Sequence, residues 1–518
     1  MTVPLPPEIL HLIATFLKND GTSLVPCTCV CRLWQRSFES LIYSSLIVYS
    51  DDEHKEDQPG ISLADFQRLT SGDGVRRQAW IRNLDYNILV PYELLDWTTR
   101  KEWNEPEAYC IENPVRKAND LAFQTAMLSL FHTLHSWASN QTPYLKLNLA
   151  VRGRPSGPAP EPRTEDWDIA GEYCWDYQTG RTFSVPPYRA QFLNNDLPFV
   201  ACIEKLSFKN HDPGWGDHHQ IWTGAVQTII QHCPKLVQLE LNLNEWVRPD
   251  HLEYIQLRRA ALSSLIGSIP RSLRVLQYEG PEDSPWKYSM PALDVIPSGV
   301  DSMSINLRHL SVHLEELKLN NTRVPYDFMC PLDETGQPEP YSLHLTWPNL
   351  KTLEIEFVPS CYPSGETTFH HTPEAQTAID KIEDWENEIC DVEAGWGLPE
   401  LRTEEYFHRL LISLGYAARR MPSLKSMKFE VEGHSATEFK LYCQNNTNIT
   451  LGWECYPLEP YRPDNRVAKA WNFDLHDVRA HPRWEGEASV ILRSWPPDMP
   501  IQPEELEQAG ARIERHLQ

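Results

Sequence analysis

Three cysteines spaced by single residues, Cys27, Cys29 and Cys31, are the densest group of thiols in the sequence. A structural zinc site needs four ligands in a tetrahedron, commonly built from Cys-x-x-Cys pairs. No such pair occurs anywhere in the chain, and His11 is the nearest histidine to the three thiols. They read better as small core residues than as ligands. His218-His219 and His370-His371 are adjacent pairs whose rings diverge on regular backbone, which disfavours shared coordination. A Gly-rich phosphate loop, a Gly-x-Ser-x-Gly elbow and a His-Glu-x-x-His pair are all missing. The 72 acidic residues leave scattered acid–base pairs open but single none out. No catalytic residue, cofactor or metal site is expected, and the chain should act by binding.

A length of 518 residues exceeds one compact core, since single cores stop growing beyond roughly 250–300 residues. Several domains or an elongated repeat array are expected. Hydrophobic residues at 41% and charged residues at 23% are a globular composition. The 42 prolines imply short elements and many turns. Net charge is −25, and basic residues fall singly or in pairs such as Arg76-Arg77 and Arg419-Arg420. With no basic stripe to follow a phosphate backbone, nucleic acid is not an expected partner. Met1 to Pro7 carries no cationic stretch, and no apolar run approaches the ~20 residues that span a bilayer. A soluble protein of the cytoplasm or nucleus is therefore expected, with no membrane partner and with reduced cysteines. The sequons at Asn140, Asn320, Asn445 and Asn448 then count as chance matches.

The first fifty residues hold the sharpest pattern. Leu5-Pro6-Pro7-Glu8-Ile9-Leu10 opens a helix as proline permits, with Ile9, Ile13 and Phe16 at helical spacing and Leu10 and Leu17 beside them. Lys18-Asn19-Asp20-Gly21 breaks it. A second helical segment is predicted from Thr22, with Pro26 at the limit of its first turn, and a third carries Val30, Trp34, Phe38 and Leu41. Three helices in about 45 residues bury too little surface to be robust alone, so a partner or the following domain must complete them.

Leu5-Pro6-Pro7-Glu8, Ser23-Leu24, Val30-Cys31-Arg32-Leu33-Trp34 and Leu41-Ile42-Tyr43…Leu46 together resemble an F-box. Ser23 stands where that family has Asp, and Tyr43 lies near its usual Trp. The resemblance implies docking on the Skp adaptor, which links to a cullin scaffold and its RING subunit. Carried over by position, the adaptor-facing residues are Leu5, Pro6, Leu10, Ile13, Leu24, Val30, Cys31 and Trp34.

From about residue 80 a phrase apolar-x-x-Leu-x-apolar recurs, with its leucine at Leu84, Leu147, Leu206, Leu239, Leu276, Leu317 and Leu353, and Met427 in the last copy. The middle copies start 33 to 41 residues apart. Each phrase ends as a short strand of period two, and helical patterns lie between several of them, at 121–137, 221–232, 252–266 and 406–421. Such alternation predicts a leucine-rich-repeat-like solenoid.

The expected fold class is α/β: a three-helix F-box at 1–48, then an irregular repeat region at 49–434. Insertions are placed at 152–198, 279–300, 325–345 and 361–400. A small antiparallel β cap from runs at 439–443, 449–455 and 471–475, with a terminal helix at 504–516, closes the chain at 435–518. Within 361–400, residues 374–393 combine eight acids with an apolar helical stripe and read as a solvated surface helix. The resemblance is to fungal F-box proteins that join an F-box to an irregular repeat region.

Residues flanking the inward leucines should face the open side of the sheet. They are mildly basic in the early copies and acidic later, with Glu240, Glu316, Glu354 and Glu356 as the candidate face for a basic segment of a protein substrate. Three functions fit: substrate receptor of a Skp–cullin–F-box ubiquitin ligase, an F-box scaffold with no role in ubiquitination, or a ligand-binding or enzymatic protein using the tryptophans around Trp167, Trp175, Trp215 and Trp222.

Overall fold

The structure, a computed structural model, describes residues 5–51, 59–91, 114–137, 144–153, 189–208 except 195, 221–243, 252–280, 293–296, 299–359, 361–371 except 368, 373–374, 377, 400–402, 404–432, 438–445, 449–456, 461–480, 486–492 and 494–495. The chain is α/β with mostly parallel strands, and it divides into two compact units at Glu240/Leu241.

The first unit opens with helices α1 (Pro7–Asn19) and α2 (Arg32–Ile42), separated by a short 3-10 turn, Val25–Cys29. There follow β1 (Ser45–Tyr49), β2 (Ile61–Ser62), α3 (Leu63–Thr70), α4 (Val75–Gln78), β3 (Asn83–Val90), α5 (Pro114–His135), β4 (Leu145–Gly153), β5 (Ile203–Phe208), α6 (Thr223–Gln231) and β6 (Gln238–Asn242), in which the division falls. The strand order is β2-β1-β3-β4-β5-β6. Parallel pairing aligns Leu46, Leu84, Leu147 and Leu206 in one column, and Val48, Tyr86 and Leu149 in the next. From Leu84 and Tyr86 onward these side chains are buried, as is Phe208. Helix α5 covers them, and the Tyr86 hydroxyl donates to the Ala126 carbonyl of that helix at 3.0 Å. Burial and, secondarily, the charge of Asp51 push the Tyr86 pKa up, so this donor stays protonated.

In the second unit α7 (Leu252–Gly267), β7 (Val275–Glu279), α8 (Ser302–Ser311), β8 (Glu316–Asn320), β9 (Thr352–Pro359), the two-stranded pair β10 (Phe369–His371) and β11 (Glu400–Arg402), α9 (Glu404–Ala418) and β12 (Ser426–Glu432) come first. Then follow β13 (Glu438–Asn445), β14 (Ile449–Tyr456), α10 (Asn465–Trp471), β15 (Arg479–Ala480) and β16 (Glu487–Ile491). Strands β7, β8, β9 and β12 are parallel, and Leu276, Leu317, Leu353 and Met427 form one buried column with Tyr278, Leu319, Ile355 and Phe429 as the next. Beyond β12 the pairing turns antiparallel through β13, β14, β16 and β15. Four expected helices are present with ends shifted by up to seven residues; α8, on which Met303, Leu307 and Leu310 form a buried stripe, is a fifth that the expectation lacks.

Two expectations are corrected. Residues 471–475 end helix α10 and do not form a strand; Asp464 caps that helix by accepting from the Arg466 and Val467 N–H groups, and the cap strand lies instead at β16. Residues 325–345 are irregular but not superficial. Tyr326, Phe328, Met329, Cys330 and Leu332 are buried, and Arg409 of α9 donates to the carbonyls of Leu332 and Asp333. Apolar content this dense must be buried wherever the backbone can find donors. The expected helix at 504–516, and that at 374–393 apart from residues 374 and 377, lie outside the described residues.

Helix α10 packs closely on α9 because Gly415 has no Cβ: one there would stand 2.9 Å from the Trp471 ring. The indole Nε1 donates to the Leu411 carbonyl at 2.7 Å. Beside this contact His408 is mostly buried, with Nδ1 against the Tyr461 hydroxyl and Nε2 4.0 Å from Asp464. Burial holds the His408 pKa below 6.5, helped by Arg466 and opposed by Asp464, Glu405 and Glu404. Among the described residues no helix is long and apolar enough to cross a membrane.

Two outcomes are expected. Leu317→Ala opens a cavity in the Leu276–Leu317–Leu353 column and should cost about 2–5 kcal/mol in denaturant unfolding. Because His408 is harder to protonate folded than unfolded, its contribution is complete above the unfolded value and shrinks as pH falls below it. The urea midpoint should therefore drop between pH 7.5 and 5.5, and less so in His408→Gln.

Candidate functional site

Helix α1 starts where Pro6 and Pro7 fix the backbone, and Glu8 complements the positive end of its dipole. It stops at Gly21, whose φ of +76° suits only glycine at low cost. The returning chain is held by Lys18, whose Nζ donates to the Leu41 carbonyl and to Ser44 Oγ, both at 3.2 Å. Between the helices lies a small core of Ala14, Leu24 and Phe38, with Ile13, Leu17, Cys27, Trp34, Leu41 and Ile42 packed against it. The Trp34 and Phe38 rings stack with centroids 5.2 Å apart.

The segment expected as a second helix is only the five-residue 3-10 turn. Pro26 in its first turn and the β-branched Val25 and Thr28 give little support to a longer helix. In consequence Cys29 and Cys31, expected as core thiols, are exposed, and Cys27 alone of the three is partly buried.

The eight adaptor-facing candidates divide. Leu5, Pro6, Val30 and Cys31 are exposed; Leu10 and Leu24 are buried; Ile13 and Trp34 are half-buried against the inner core. The structure adds residues that the motif did not supply. Ile9, Leu12 and Phe16 occupy the outer face of α1, and Leu12, Phe16, Val25 and Val30 are 64%, 71%, 59% and 61% exposed. Their signal was present in the sequence: α1 is apolar on two faces, and 40 residues hold no core for both.

This helical pair is tied to the rest of its unit by a buried acid. Glu39 on α2 accepts from Gln35 at 3.0 Å and pairs with Arg77 at 3.3 Å and Arg76 at 3.7 Å. Arg77 also donates to the Leu69 carbonyl, and its guanidinium lies 4.9 Å from the Tyr43 ring centroid. Both arginines come from α4, so one carboxylate orients the helical pair against the strands that follow it.

The candidate acidic face is largely neutralised. Glu354 pairs with Lys318 at 2.6 Å across β8 and β9. Glu356 hydrogen-bonds Lys428, which also meets Glu430 at 2.9 Å. Burial pulls the Lys428 pKa down, but its bonds to Glu356 and Glu430 prevail and leave it raised. In the first unit Glu240 is buried, accepts from Gln238 at 3.0 Å and lies 3.8 Å from Lys146. Glu316 is half-buried beside Val275 and Thr352. Cross-strand lysines thus fill the position the basic segment was expected to take. Of the tryptophans weighed for a ligand site, Trp222 precedes α6, and Trp167, Trp175 and Trp215 lie outside the described residues.

No protein-family model matches the chain, and no curated protein matches it. Among the described residues no group of three His, Cys, Asp or Glu side chains could hold a metal ion.

Glu39→Ala leaves Arg77, itself mostly buried, without its carboxylate and should cost on the order of 2–3 kcal/mol. Hydrogen exchange should quicken across α1 and α2 while β3 to β5 stay protected.

Proposed function

We propose that this chain is the substrate-receptor subunit of a Skp–cullin–F-box ubiquitin ligase, engaging the Skp adaptor through its first 48 residues and a protein substrate through the repeat-like remainder. One observation carries the reading: the helices that bear the Leu-Pro and Val-Cys-Arg-x-Trp anchors leave an apolar strip at helical spacing, Leu5, Ile9, Leu12 and Phe16, uncovered, and Val25 and Val30 after it are exposed as well. Apolar side chains grouped this way on so small an element mark a protein contact. The in-register leucine columns support the repeat-like reading of the remainder, in which each strand and the segment that follows it form one unit stacked on its neighbour. The adaptor would bring the cullin and its RING subunit, which suits a sequence with no Cys-x-x-Cys pair of its own. Since Glu354 and Glu356 already hold lysines, the substrate surface is not assigned to them.

The test uses substitutions on the outer face, because Trp34 is stacked in the inner core and its loss would unsettle the fold. Leu12→Asp and Phe16→Asp should each lower capture by purified Skp adaptor by about thirtyfold or more, the effect of losing about 2 kcal/mol or more from an interface anchor. Unfolding midpoints should stay near the parent value. Adaptor capture equal to the parent in both folded variants overturns the reading, and adaptor captured without cullin would make the chain a scaffold outside ubiquitination.

A further inference from the structure

In parallel α/β folds ligands bind outside the carboxyl ends of the strands, where loops and helix starts converge. The second unit has a cleft of about 310 Å³ at that end. Asp327 reaches it from the chain after β8, Tyr362 and Glu366 from the chain after β9, and Tyr406 and Arg409 from the first turns of α9. Asp301, which caps α8, completes the wall.

Most of the charge in this wall is already spent. Arg259 holds Asp301 through both carboxylate oxygens at 2.8 Å, and Arg409 holds Asp327 at 3.0 Å while donating to two carbonyls. The positive helix starts are likewise occupied, α8 by Asp301 and α9 by Glu404 and Glu405. Glu366 remains. It is exposed at the cleft and has no ion-pair partner among the described residues. Beside it the Tyr362 and Tyr406 rings meet edge to face, 5.3 Å between centroids, with Tyr406 half exposed. Burial raises both tyrosine pKa values, and the Glu366 charge raises them further, so both rings are neutral at physiological pH.

We propose that this cleft binds a cationic organic group, the ammonium or guanidinium end of a lysine or arginine side chain or of a free amine. Neutral tyrosine faces attract such a cation through their quadrupole, and they cover its methylene stem. Glu366 supplies the one uncompensated countercharge. An anion would meet three carboxylates with no free arginine to receive it, and a purely apolar ligand would leave Glu366 against hydrocarbon. The proposal stands whether or not the chain docks on an adaptor.

Calorimetric titration of the full chain with a blocked glycyl-lysyl-glycine peptide, its norleucine counterpart and butylammonium chloride tests this. Saturable binding of the lysyl peptide and none of the norleucine peptide is expected. Glu366→Gln, on an exposed side chain, should weaken lysyl binding about tenfold, and Tyr406→Leu about threefold, with unfolding midpoints unchanged. A peptide at least tenfold tighter than butylammonium identifies a protein side chain as the ligand; equal affinity identifies a free amine. Failure of both cations to saturate, or parent affinity in Glu366→Gln, overturns the proposal.

Discussion

Register between parallel strands is the constraint on which the rest of this structure depends. Leu84, Leu147 and Leu206 stand opposite one another in the first unit, and Leu276, Leu317, Leu353 and Met427 do so in the second. A slip of one residue would turn every one of these side chains to the opposite face. Each strand must therefore be followed by a segment, helical or, between β8 and β9, irregular, that covers its column before the next strand begins. The 33- to 41-residue spacing of the phrase meets that demand. The column face is consumed by the packing of these side chains and offers no binding groups.

The opposite face follows from the same register. Lysine and glutamate on neighbouring strands fall side by side, Lys318 against Glu354 and Glu356 against Lys428. Exposed pairs of this kind add at most about 1 kcal/mol each. Their larger effect is to remove local charge from a surface whose sequence reads as strongly acidic. Net charge is a property of the whole chain and does not locate a binding face.

Period-two phrases were legible because seven have a leucine, and the last Met427, at a fixed place, and all eight are strands. Helices α5, α6, α7 and α9 were legible in the sequence, whereas α8 was not: Met303, Leu307 and Leu310 share one buried face, but the helix has only ten residues and Ser302, Ser304 and Ser311 lower its mean hydropathy. The buried irregular stretch 325–345 was misread because prolines and turn residues mask its aromatic content, and only tertiary contact with α9 shows where Tyr326 and Phe328 go. At the N-terminal helices the sequence did not show which of the motif residues are exposed. Leu10 and Leu24 are buried, and Leu12 and Phe16 are the exposed ones, since orientation about a helix axis depends on which stripe the neighbouring helix covers. The cleft at Glu366 was invisible in sequence, because Tyr362 and Tyr406 come together only once β9 and α9 are in place.

The switch from parallel to antiparallel pairing at β12 has a bearing on how the chain is made. Parallel strands wait for a long crossover before they gain a partner, and an unpaired edge invites pairing with other chains. The first unit closes its columns with residues synthesised early, so it can be native while the remainder is still emerging from the ribosome. In the second unit β12 would present the last bare edge; β13 pairs with it a few residues later, and β14 then pairs with β13. A growing chain thus shields its final parallel strand within about twenty-five residues of making it, the interval in which aggregation of a nascent protein is most easily avoided.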